Sequence, residues 1–217
     1  MQFTGERVEE KQRKFDLRFA DHLARYDLAK PLCKDKVVLD IACGTGYGTS
    51  ILAQVAQTID GVDIDKDAIE LAKKSYVKSN LTYTVGDGTT IPFEDNMFDV
   101  VISFETIEHI VEYHNFLKEI KRVLKPGGVL LMSTPNYKGE LVKNTYHVTN
   151  FDTNTFVGSV KQHFDVQSVM YQGKHFYPLP GRGLVEGLFN IRRDVAIRTH
   201  KPAFEHHVTI IQAVKSL

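Results

Sequence analysis

Short apolar runs alternate with amphipathic segments over the first two thirds of the chain. The predicted strands cover residues 36–41, 58–63, 81–85, 98–104 and 129–133. Between them, apolar residues at helical spacing predict helices over 48–57, 66–78 and 112–124, with Asp65 as the N-cap of the second and Pro126-Gly127-Gly128 ending the third. Strands that alternate with helices predict an α/β fold with a parallel sheet covered on both faces.

Both ends of the chain depart from this alternation. Residues 9–30 carry spaced apolar side chains and predict one or two amphipathic helices before the sheet. A helix over 152–160 and strands over 163–171 and 208–215 are predicted near the other end. The proline- and glycine-rich stretch between those strands, about 173–205, predicts an excursion that covers a pocket or mediates dimerisation. The apolar residues expected in such a homodimer contact are Phe176, Tyr177, Leu184, Leu188 and Phe189.

Length and charge restrict the class of protein further. A chain of 217 residues favours one domain. Lysine plus arginine and aspartate plus glutamate are 27 each, so no basic excess indicates a nucleic-acid partner. No apolar run approaches the ~20 residues that span a bilayer, and the charged N-terminus lacks an apolar signal core. Two cysteines indicate neither a disulfide scaffold nor a zinc site. We therefore expect a cytoplasmic protein.

Glycine and acidic residues follow several of the predicted strands. Gly44, Gly46 and Gly48 come after strand one, Asp63 ends strand two, and Asp87 follows strand three. Because ligands bind beyond the carboxyl ends of parallel strands, these positions predict one binding crevice. A carboxylate at Asp63 can accept hydrogen bonds from both hydroxyls of a ribose, which indicates a nucleoside. The alternative, that Asp63 only caps the next helix, is weaker because Asp65 is better placed to do so.

Four segments resemble, in order, the motifs of class I S-adenosylmethionine-dependent methyltransferases. They are VLDIACGTGYGT, GVDID, GDGTTIPFEDNMFDVVISFETIEHI and LKPGGVLLMSTPN, within residues 37–136. The resemblance implies a Rossmann-like seven-stranded sheet in the order 3-2-1-4-5-7-6 with strand seven antiparallel. It also implies a single domain over 1–217, with an N-terminal helical cap (1–35), a cofactor-binding core (36–136) and a substrate-side half (137–217).

The same resemblance assigns cofactor contacts to particular positions. Those expected to cradle the methionine part of S-adenosylmethionine are Asp40, Ala42, Gly44 and Gly46. Those expected around the adenosine are Asp63 at the ribose, Ile64 against the adenine, and Asp87 with Gly88 at its amino group. Phe104 would lie near the sulfur, and Tyr26 would close over the cofactor from the N-terminal helix or simply pack on the sheet.

A nicotinamide dinucleotide fold is the rival interpretation of the glycine segment. Its fingerprint is G-x-G-x-x-G, whereas this chain has GTGYG followed by Thr49 and Ser50. A carboxylate at Asp40 would also repel a pyrophosphate, while it suits the ammonium of a bound amino acid. The glycine segment therefore favours S-adenosylmethionine.

The segment FETIEHI after strand four carries the first candidates for catalysis. Glu105, Glu108 and His109 form an E-x-x-E-H pattern whose side chains can converge on one helix face. In one interpretation, His109 is a general base oriented by a carboxylate, and Glu105 is a catalytic neighbour. In another, which resembles ubiquinone-biosynthesis O-methyltransferases, the three bind a divalent cation that polarises the acceptor. In the third, the group only packs and hydrogen-bonds locally.

The segment NTYHVTNFDTNTF (144–156) contains His147, which is either a second candidate base or a capping or structural histidine. This segment, GERV and HLARY are similar to segments of bacterial methyltransferases acting on sugars and surface glycans. They predict O-methylation of a sugar, nucleotide-sugar or glycan hydroxyl. The arginines that either bind its phosphates or form only a solvated helical face are Arg182, Arg192, Arg193 and Arg198. A quinone, lipid or other small-molecule acceptor is the alternative within the enzyme class, and a non-catalytic S-adenosylmethionine binder is the alternative outside it.

Overall fold

The computed structural model describes residues 17–137, 146–173, 197–198 and 208–216. The strands are β1 Val37–Ile41, β2 Thr58–Asp63, β3 Leu81–Val85, β4 Phe98–Phe104, β5 Leu124–Pro135, β6 Asp165–Gln172, β7 Ile197–Arg198 and β8 Val208–Val214. The helices are α1 Leu17–Cys33, α2 Tyr47–Leu52, α3 Lys66–Ser75, α4 Tyr113–Val123 and α5 Thr153–Lys161, and Ile107–His109 form a 3-10 turn.

All the described strands belong to one sheet in the order β3-β2-β1-β4-β5-β8-β6-β7. The first five pair in parallel, and β8 lies antiparallel between β5 and β6. The predicted order 3-2-1-4-5-7-6 is therefore confirmed, with β8 in the place of the predicted strand seven. The two-residue β7 on the edge of β6 was not predicted, because two residues are too few to give a period.

Successive residues of the central strands face opposite layers of the fold. Val38 and Ile102 pack in the core beneath α1 and α2, whereas Leu39 and Val101 pack in the core beneath α4 and α5. Since side chains alternate along a strand, strands buried on both faces are apolar at most positions on both faces. This is why continuous apolar runs correctly predicted the middle of a covered sheet.

Two predicted helices are shorter than expected. The helix predicted over 48–57 is only Tyr47–Leu52, and the one predicted over 66–78 ends at Ser75. Past α2, the amide of Asn80 donates to the carbonyls of Ala53 (2.9 Å) and Ala56 (3.1 Å). A side chain from the start of β3 thus satisfies carbonyls that a longer helix would have used.

The segment Pro126-Gly127-Gly128 lies inside β5 and does not separate a helix from a strand. Helix α4 already ends at Val123, and pairing of β5 with β4 begins at Leu124. The register then shifts before Val129, where the Gly127 amide donates to the Lys215 carbonyl and the Lys215 amide donates to Gly128. Pairing with the C-terminal segment therefore extends β5 to Leu124, whereas the local sequence pattern predicted that this strand begins at residue 129.

The N-terminal helical prediction corresponds to α1, and Asp65 and Asp152 cap α3 and α5 with their side chains. The division of the chain into cap, core and substrate-side half stays a prediction. Most of the predicted excursion over 173–205, and with it the predicted dimer contact, lies outside the described residues. The side chains of all four candidate arginines lie outside them as well.

Candidate active site

A cavity of about 690 Å³ opens at the carboxyl ends of the strands, beside α1. This volume is within the range of small-molecule and cofactor sites. The predicted site residues that line it are Tyr26, Ala42, Gly44, Asp63, Ile64, Asp87, Gly88, Phe104, Glu105, Glu108, His109 and His147. Two others, Asp40 and Gly46, are not on its wall. The fold thus brings most of the predicted positions to one place.

A tight turn after β1 forms one part of the wall. Its backbone has positive φ at Ala42 (59°), Gly44 (57°) and Gly46 (81°), a conformation that side chains disfavour. A Cβ at Gly44 would meet no atom within 4 Å, so Gly44 borders open space in the cavity. A Cβ at Gly46 would lie 2.6 Å from the Tyr83 hydroxyl oxygen, so this glycine serves packing under the turn.

Asp63 stands at the end of β2 with both carboxylate oxygens held by main-chain amides. Oδ2 accepts from Gly44 N at 2.8 Å and Oδ1 accepts from Asp65 N at 2.9 Å. The residue is 7% exposed and lines the cavity. The carboxylate is therefore fixed in place, and each oxygen has a further lone pair that can accept from a ligand hydroxyl.

Asp40 lies behind the turn and is only 1% exposed. Its Oδ2 accepts from the Thr49 hydroxyl at 2.7 Å and from the Tyr26 hydroxyl at 3.3 Å. Burial raises the pKa of Asp40 to about 7, although both hydrogen bonds act against this rise. In this position Asp40 connects α1 and α2 beneath the turn, and its predicted contact with the methionine part stays a prediction.

The segments after β2 and β3 offer an apolar surface and a carboxylate side by side. Ile64 is 70% exposed although it is a large apolar side chain, and it lines the cavity. The Asp87 Oδ1 accepts from the amide and the hydroxyl of Thr89, each at 2.8 Å. A Cβ at Gly88 would lie 2.7 Å from the Phe116 ring, so Gly88 allows close approach to α4. The predicted adenine contacts of Ile64, Asp87 and Gly88 stay predictions.

Aromatic rings from α1 and β4 close the cavity near the turn. Tyr26 stacks edge-on against Phe104, with ring centroids 5.2 Å apart, and also lines the cavity. Beside them lies Arg25, which is 1% exposed and whose guanidinium carbon is 5.9 Å from the centre of the Phe104 ring. The sequence pattern did not single out Arg25, because one arginine in a polar helix looks like a surface residue.

Glu105 follows β4 with a left-handed backbone, φ 54°, which is unusual for a residue with a side chain. Its amide donates to the Ser133 carbonyl at 3.1 Å, and its Oε1 accepts from the Ser133 hydroxyl at 2.9 Å. Glu105 is thus tied to β5, although it lines the cavity. It does not join the group of metal-binding atoms that the structure brings together.

Glu108 is the buried member of the E-x-x-E-H segment, 2% exposed. Its Oε2 accepts from the Thr134 hydroxyl at 2.9 Å, and its Oε1 has no hydrogen-bond partner within the described ranges. Burial, together with the nearby charge of Glu105, raises the pKa of Glu108 well above its ordinary value. The main-chain carbonyl of Glu108 accepts from the amides of Val148 and Thr149, so it also anchors the segment that carries His147.

His109 and His147 meet edge-on beside this carboxyl group. Their ring centroids are 5.0 Å apart, and His109 Nε2 lies 3.9 Å from Glu108 Oε1. One ligand atom from each of Glu108, His109 and His147 lies within 4.8 Å of the others. One oxygen atom placed among them can hydrogen-bond to all three. The set that converges therefore contains His147 in place of the Glu105 that the proposed cation site included.

Comparison with known families agrees with this geometry. Residues 39–132 match the model of the methyltransferase domain family. A "Probable S-adenosylmethionine-dependent methyltransferase" of Mycolicibacterium smegmatis is 35% identical over 133 residues, which are 61% of this chain and 51% of the relative. The phthiotriol/phenolphthiotriol dimycocerosates methyltransferase of Mycobacterium tuberculosis is 37% identical over 95 residues, 43% of this chain and 35% of that protein. The chain thus spans about half the length, or less, of the curated relatives it matches.

Solved structures show the same fold at lower identity. An S-adenosylmethionine-dependent methyltransferase from Thermotoga maritima superimposes with a TM-score of 0.70 at 20% identity, covering 95% of both chains. In its strand order, its glycine turn and these matches, the chain is similar to the class I S-adenosylmethionine-dependent methyltransferases. The cofactor of this class is S-adenosylmethionine. None of the helices in the described ranges has the length and apolar character needed to cross a bilayer.

Proposed function

We propose that the protein transfers the methyl group of S-adenosylmethionine to a hydroxyl of a small-molecule or glycan acceptor. The observation that carries this proposal is the convergence of Glu108, His109 and His147 on the cavity that the glycine turn and Asp63 also line. A nucleoside cofactor and a proton acceptor are the two things that O-methylation requires in one cavity.

The residues after β1, β2 and β3 fit this cofactor. The open space beside Gly44 leaves room for a ligand close to the main chain, and the fixed oxygens of Asp63 suit the two ribose hydroxyls. Ile64 offers the exposed apolar surface that an adenine ring needs, and Asp87 a carboxylate for its amino group. The proposed division is that these residues hold the adenosine while the turn holds the methionine part.

His109 is the proposed base. When bound, the cofactor supplies a methyl group on a positively charged sulfur, and the acceptor oxygen forms the new carbon–oxygen bond as the carbon–sulfur bond breaks. The His109 Nδ1 lies 3.0 Å from the Tyr146 carbonyl oxygen, so in the neutral ring Nδ1 carries the hydrogen and Nε2 has the lone pair. Nε2 can therefore take the proton that the hydroxyl loses.

Glu108 makes this proton transfer more favourable. The imidazolium formed at His109 carries its new hydrogen on Nε2, which lies 3.9 Å from the unpartnered Oε1 of Glu108. A buried carboxyl oxygen without a donor is costly, and a small movement of either side chain would let it accept from Nε2. The transferred proton is then bound to His109 Nε2 and directed at the neighbouring carboxyl oxygen of Glu108.

A sugar, nucleotide-sugar or glycan is the acceptor we favour. The cavity that contains the proposed base is lined by several hydrogen-bonding side chains, and a polyhydroxylated ligand needs several such partners. These side chains are Asp21, His22, Glu105, Thr106 and His147.

A lipid or quinone hydroxyl is the second candidate, and a separate observation favours it. Val111 lies two residues after His109, and Val148 donates its amide to the Glu108 carbonyl; these two valines are 71% and 55% exposed. Contiguous exposed apolar side chains mark interaction sites, so we propose that these two valines form part of such a surface for an apolar acceptor. The relative from Mycobacterium tuberculosis is also named for a phthiotriol substrate.

Transfer of a radiolabelled methyl group tests the function directly. Purified protein with labelled S-adenosylmethionine is incubated with a pool of nucleotide-sugars and glycans, and separately with a pool of hydroxylated lipids and quinols. We expect label in the first pool, abolished by excess S-adenosylhomocysteine. Label only in the second pool would replace the sugar with the lipid acceptor. Absence of transfer to both pools, with S-adenosylhomocysteine still bound, would favour a non-catalytic binder.

A further inference from the structure

Two buried hydroxyl groups stand at the end of the apolar strand β5. Ser133 is 0% exposed and Thr134 is 1% exposed, and both interrupt the apolar run that precedes them. A buried hydroxyl is unfavourable unless it finds a hydrogen-bond partner. The Ser133 hydroxyl donates to Glu105 Oε1 and the Thr134 hydroxyl donates to Glu108 Oε2, each at 2.9 Å. The end of β5 therefore holds both glutamates of the segment that follows β4.

The Thr134 hydroxyl reaches Glu108 from behind the cavity wall. Glu108 lines the cavity, whereas Thr134 does not. Because Thr134 is β-branched and lies within a paired strand, its side chain has few alternative rotamers. Its partner in the sheet is Thr209 of β8, which is directly opposite and 0% exposed. Thr134 is thus a fixed donor, and from its place outside the wall it acts on a ligand only through Glu108.

Glu108 depends on this donor for its orientation. It lies in the 3-10 turn Ile107–His109, and because its long side chain has several rotamers, the short turn alone does not fix the carboxyl group. The hydrogen bond from Thr134 fixes Oε2. The other oxygen, Oε1, has no hydrogen-bond partner within the described residues and lies 3.9 Å from His109 Nε2. Fixing one oxygen in this way directs the other toward the proposed base.

The same hydrogen bond favours the charged form of Glu108. Burial and the charge of Glu105 raise the pKa of Glu108. The hydrogen bond from Thr134 and the charge of Arg25 oppose this rise. An imidazolium formed at His109 is stabilised more by a neighbouring carboxylate than by a neutral carboxyl group. Loss of the Thr134 hydroxyl therefore removes both the orientation of Glu108 and part of the negative charge that proton transfer to His109 uses.

We infer that Thr134 is a positioning residue for methyl transfer, because its hydroxyl holds Glu108 so that Oε1 can receive the imidazolium formed at His109. This inference rests on the proposed function, since it requires His109 to take the acceptor proton. The proton passes from the acceptor oxygen to His109 Nε2 while the methyl group passes from the sulfur to that oxygen. Thr134 keeps its own hydrogen throughout.

Variants of Thr134 test this inference in methyl transfer to the acceptor that wild-type protein labels. Thr134→Val removes the hydroxyl but keeps the side-chain shape, so we expect kcat to fall ~5- to 30-fold. The KM for the acceptor and the Kd for S-adenosylhomocysteine should stay within about threefold of wild type, because Thr134 lies outside the cavity wall. Thr134→Ser keeps the hydroxyl and should retain kcat within about threefold.

Thr209→Val is the matched control, because it removes a buried threonine hydroxyl directly opposite Thr134 on β8. The hydroxyl of Thr209 lies 2.9 Å from that of Thr153, on α5. We expect kcat of this variant to stay within about twofold of wild type. Urea unfolding of both valine variants measures their losses of stability, so that a lower kcat is not mistaken for a loss of folded protein.

A double-mutant cycle with Glu108→Gln separates positioning from packing. If Thr134 acts through the Glu108 carboxylate, adding Thr134→Val to Glu108→Gln should lower kcat by less than about twofold. An equal loss of kcat in both backgrounds would show that the threonine only packs. A Thr134→Ser variant as slow as Thr134→Val would likewise overturn the inference, because it would assign the effect to the lost methyl group.

Failure of the proposed function gives a different result. Wild-type protein that binds S-adenosylhomocysteine but methylates no acceptor would remove the proposed activity, and this inference with it. Wild-type protein that transfers methyl groups, beside a Thr134→Val variant with undiminished kcat, would leave the proposed function intact and exclude Thr134 from the mechanism.

Discussion

At the ends of β1 and β2 the cavity wall is made mostly of main chain, whereas at the ends of β4 and β5 it is made of side chains. On the first side, Asp63 has both oxygens paired with amides and the turn is shaped by backbone conformation. On the second side, Glu108 has an oxygen without a partner, and two imidazole rings face it. The carboxylate on the first side is held in place by the main chain, whereas on the second side one carboxyl oxygen of Glu108 has no hydrogen-bond partner among the described residues.

This difference indicates where binding and where chemistry take place. A fully satisfied, rigid surface can hold the same cofactor in every cycle with little reorganisation. Unsatisfied titratable groups, in contrast, gain most when a proton or hydroxyl arrives between them. We therefore expect substitutions on the β1–β2 side to change affinity or folding, and substitutions on the β4–β5 side to change the rate.

His109→Ala should give the largest effect. Loss of a general base lowers the rate ~10²- to 10⁴-fold, while affinity for S-adenosylhomocysteine should stay within about threefold of wild type. Single-turnover methyl transfer and calorimetry measure the two quantities. Asp63→Asn is the matched change on the other side, and there the affinity should fall while the rate at saturating cofactor changes less.

His147→Ala distinguishes the two histidines. Because His147 contacts the edge of the His109 ring, its removal should slow transfer only about tenfold, by loosening His109 or the acceptor. A loss as large as that of His109→Ala would assign the base to His147 instead.

Gly46→Ala and Gly44→Ala compare two positions within the turn. Both have positive φ, but only a Cβ at Gly46 would collide with Tyr83 and Ala72, at 2.6 and 2.7 Å. Strain and overpacking together should destabilise Gly46→Ala by about 2–4 kcal/mol, whereas Gly44→Ala should cost about 1 kcal/mol and mainly weaken cofactor binding. Urea unfolding measures the loss of stability of each variant, and calorimetry measures the loss of cofactor affinity. Equal losses of stability in the two variants would contradict the comparison.

Asp40 should give the folded protein a pH dependence of defined sign. Its pKa is about 7 when folded, against 3.8 ordinarily, so between these values the folded state binds more protons than the unfolded state. The contribution of Asp40 to the unfolding free energy is therefore greatest below pH 3.8 and falls as the pH rises to about 7. Relative to Asp40→Asn, wild type should lose about 2–3 kcal/mol of unfolding free energy between pH 5 and pH 8.

Urea titrations of both proteins at the two pH values measure this difference. The comparison with Asp40→Asn is needed because burial raises the pKa of Glu108 in the same direction. A difference between the two proteins that did not change with pH would mean that Asp40 is ionised in the folded state.

The sequence alone predicted the strands and the glycine turn, and the resemblance of its motifs to a known family predicted the strand order. A turn such as Ala42–Gly46 is built from consecutive residues, and its glycines mark positions where side chains are unfavourable whatever the distant chain does. Apolar runs likewise specify buried strands locally. The same local reasoning placed Asp63 and Ile64 at the end of β2, where they line the cavity.

The tertiary structure alone decided which side chains meet on the other side of the cavity. His147 reaches His109 only because the Glu108 carbonyl binds the amides of Val148 and Thr149. Arg25 became a buried cation only because Gln172, distant in the chain, lies against α1. These contacts depend on how β4, β5 and β6 are arranged in the sheet. The hydrophobic periodicity of a segment does not predict contacts between residues so far apart in sequence.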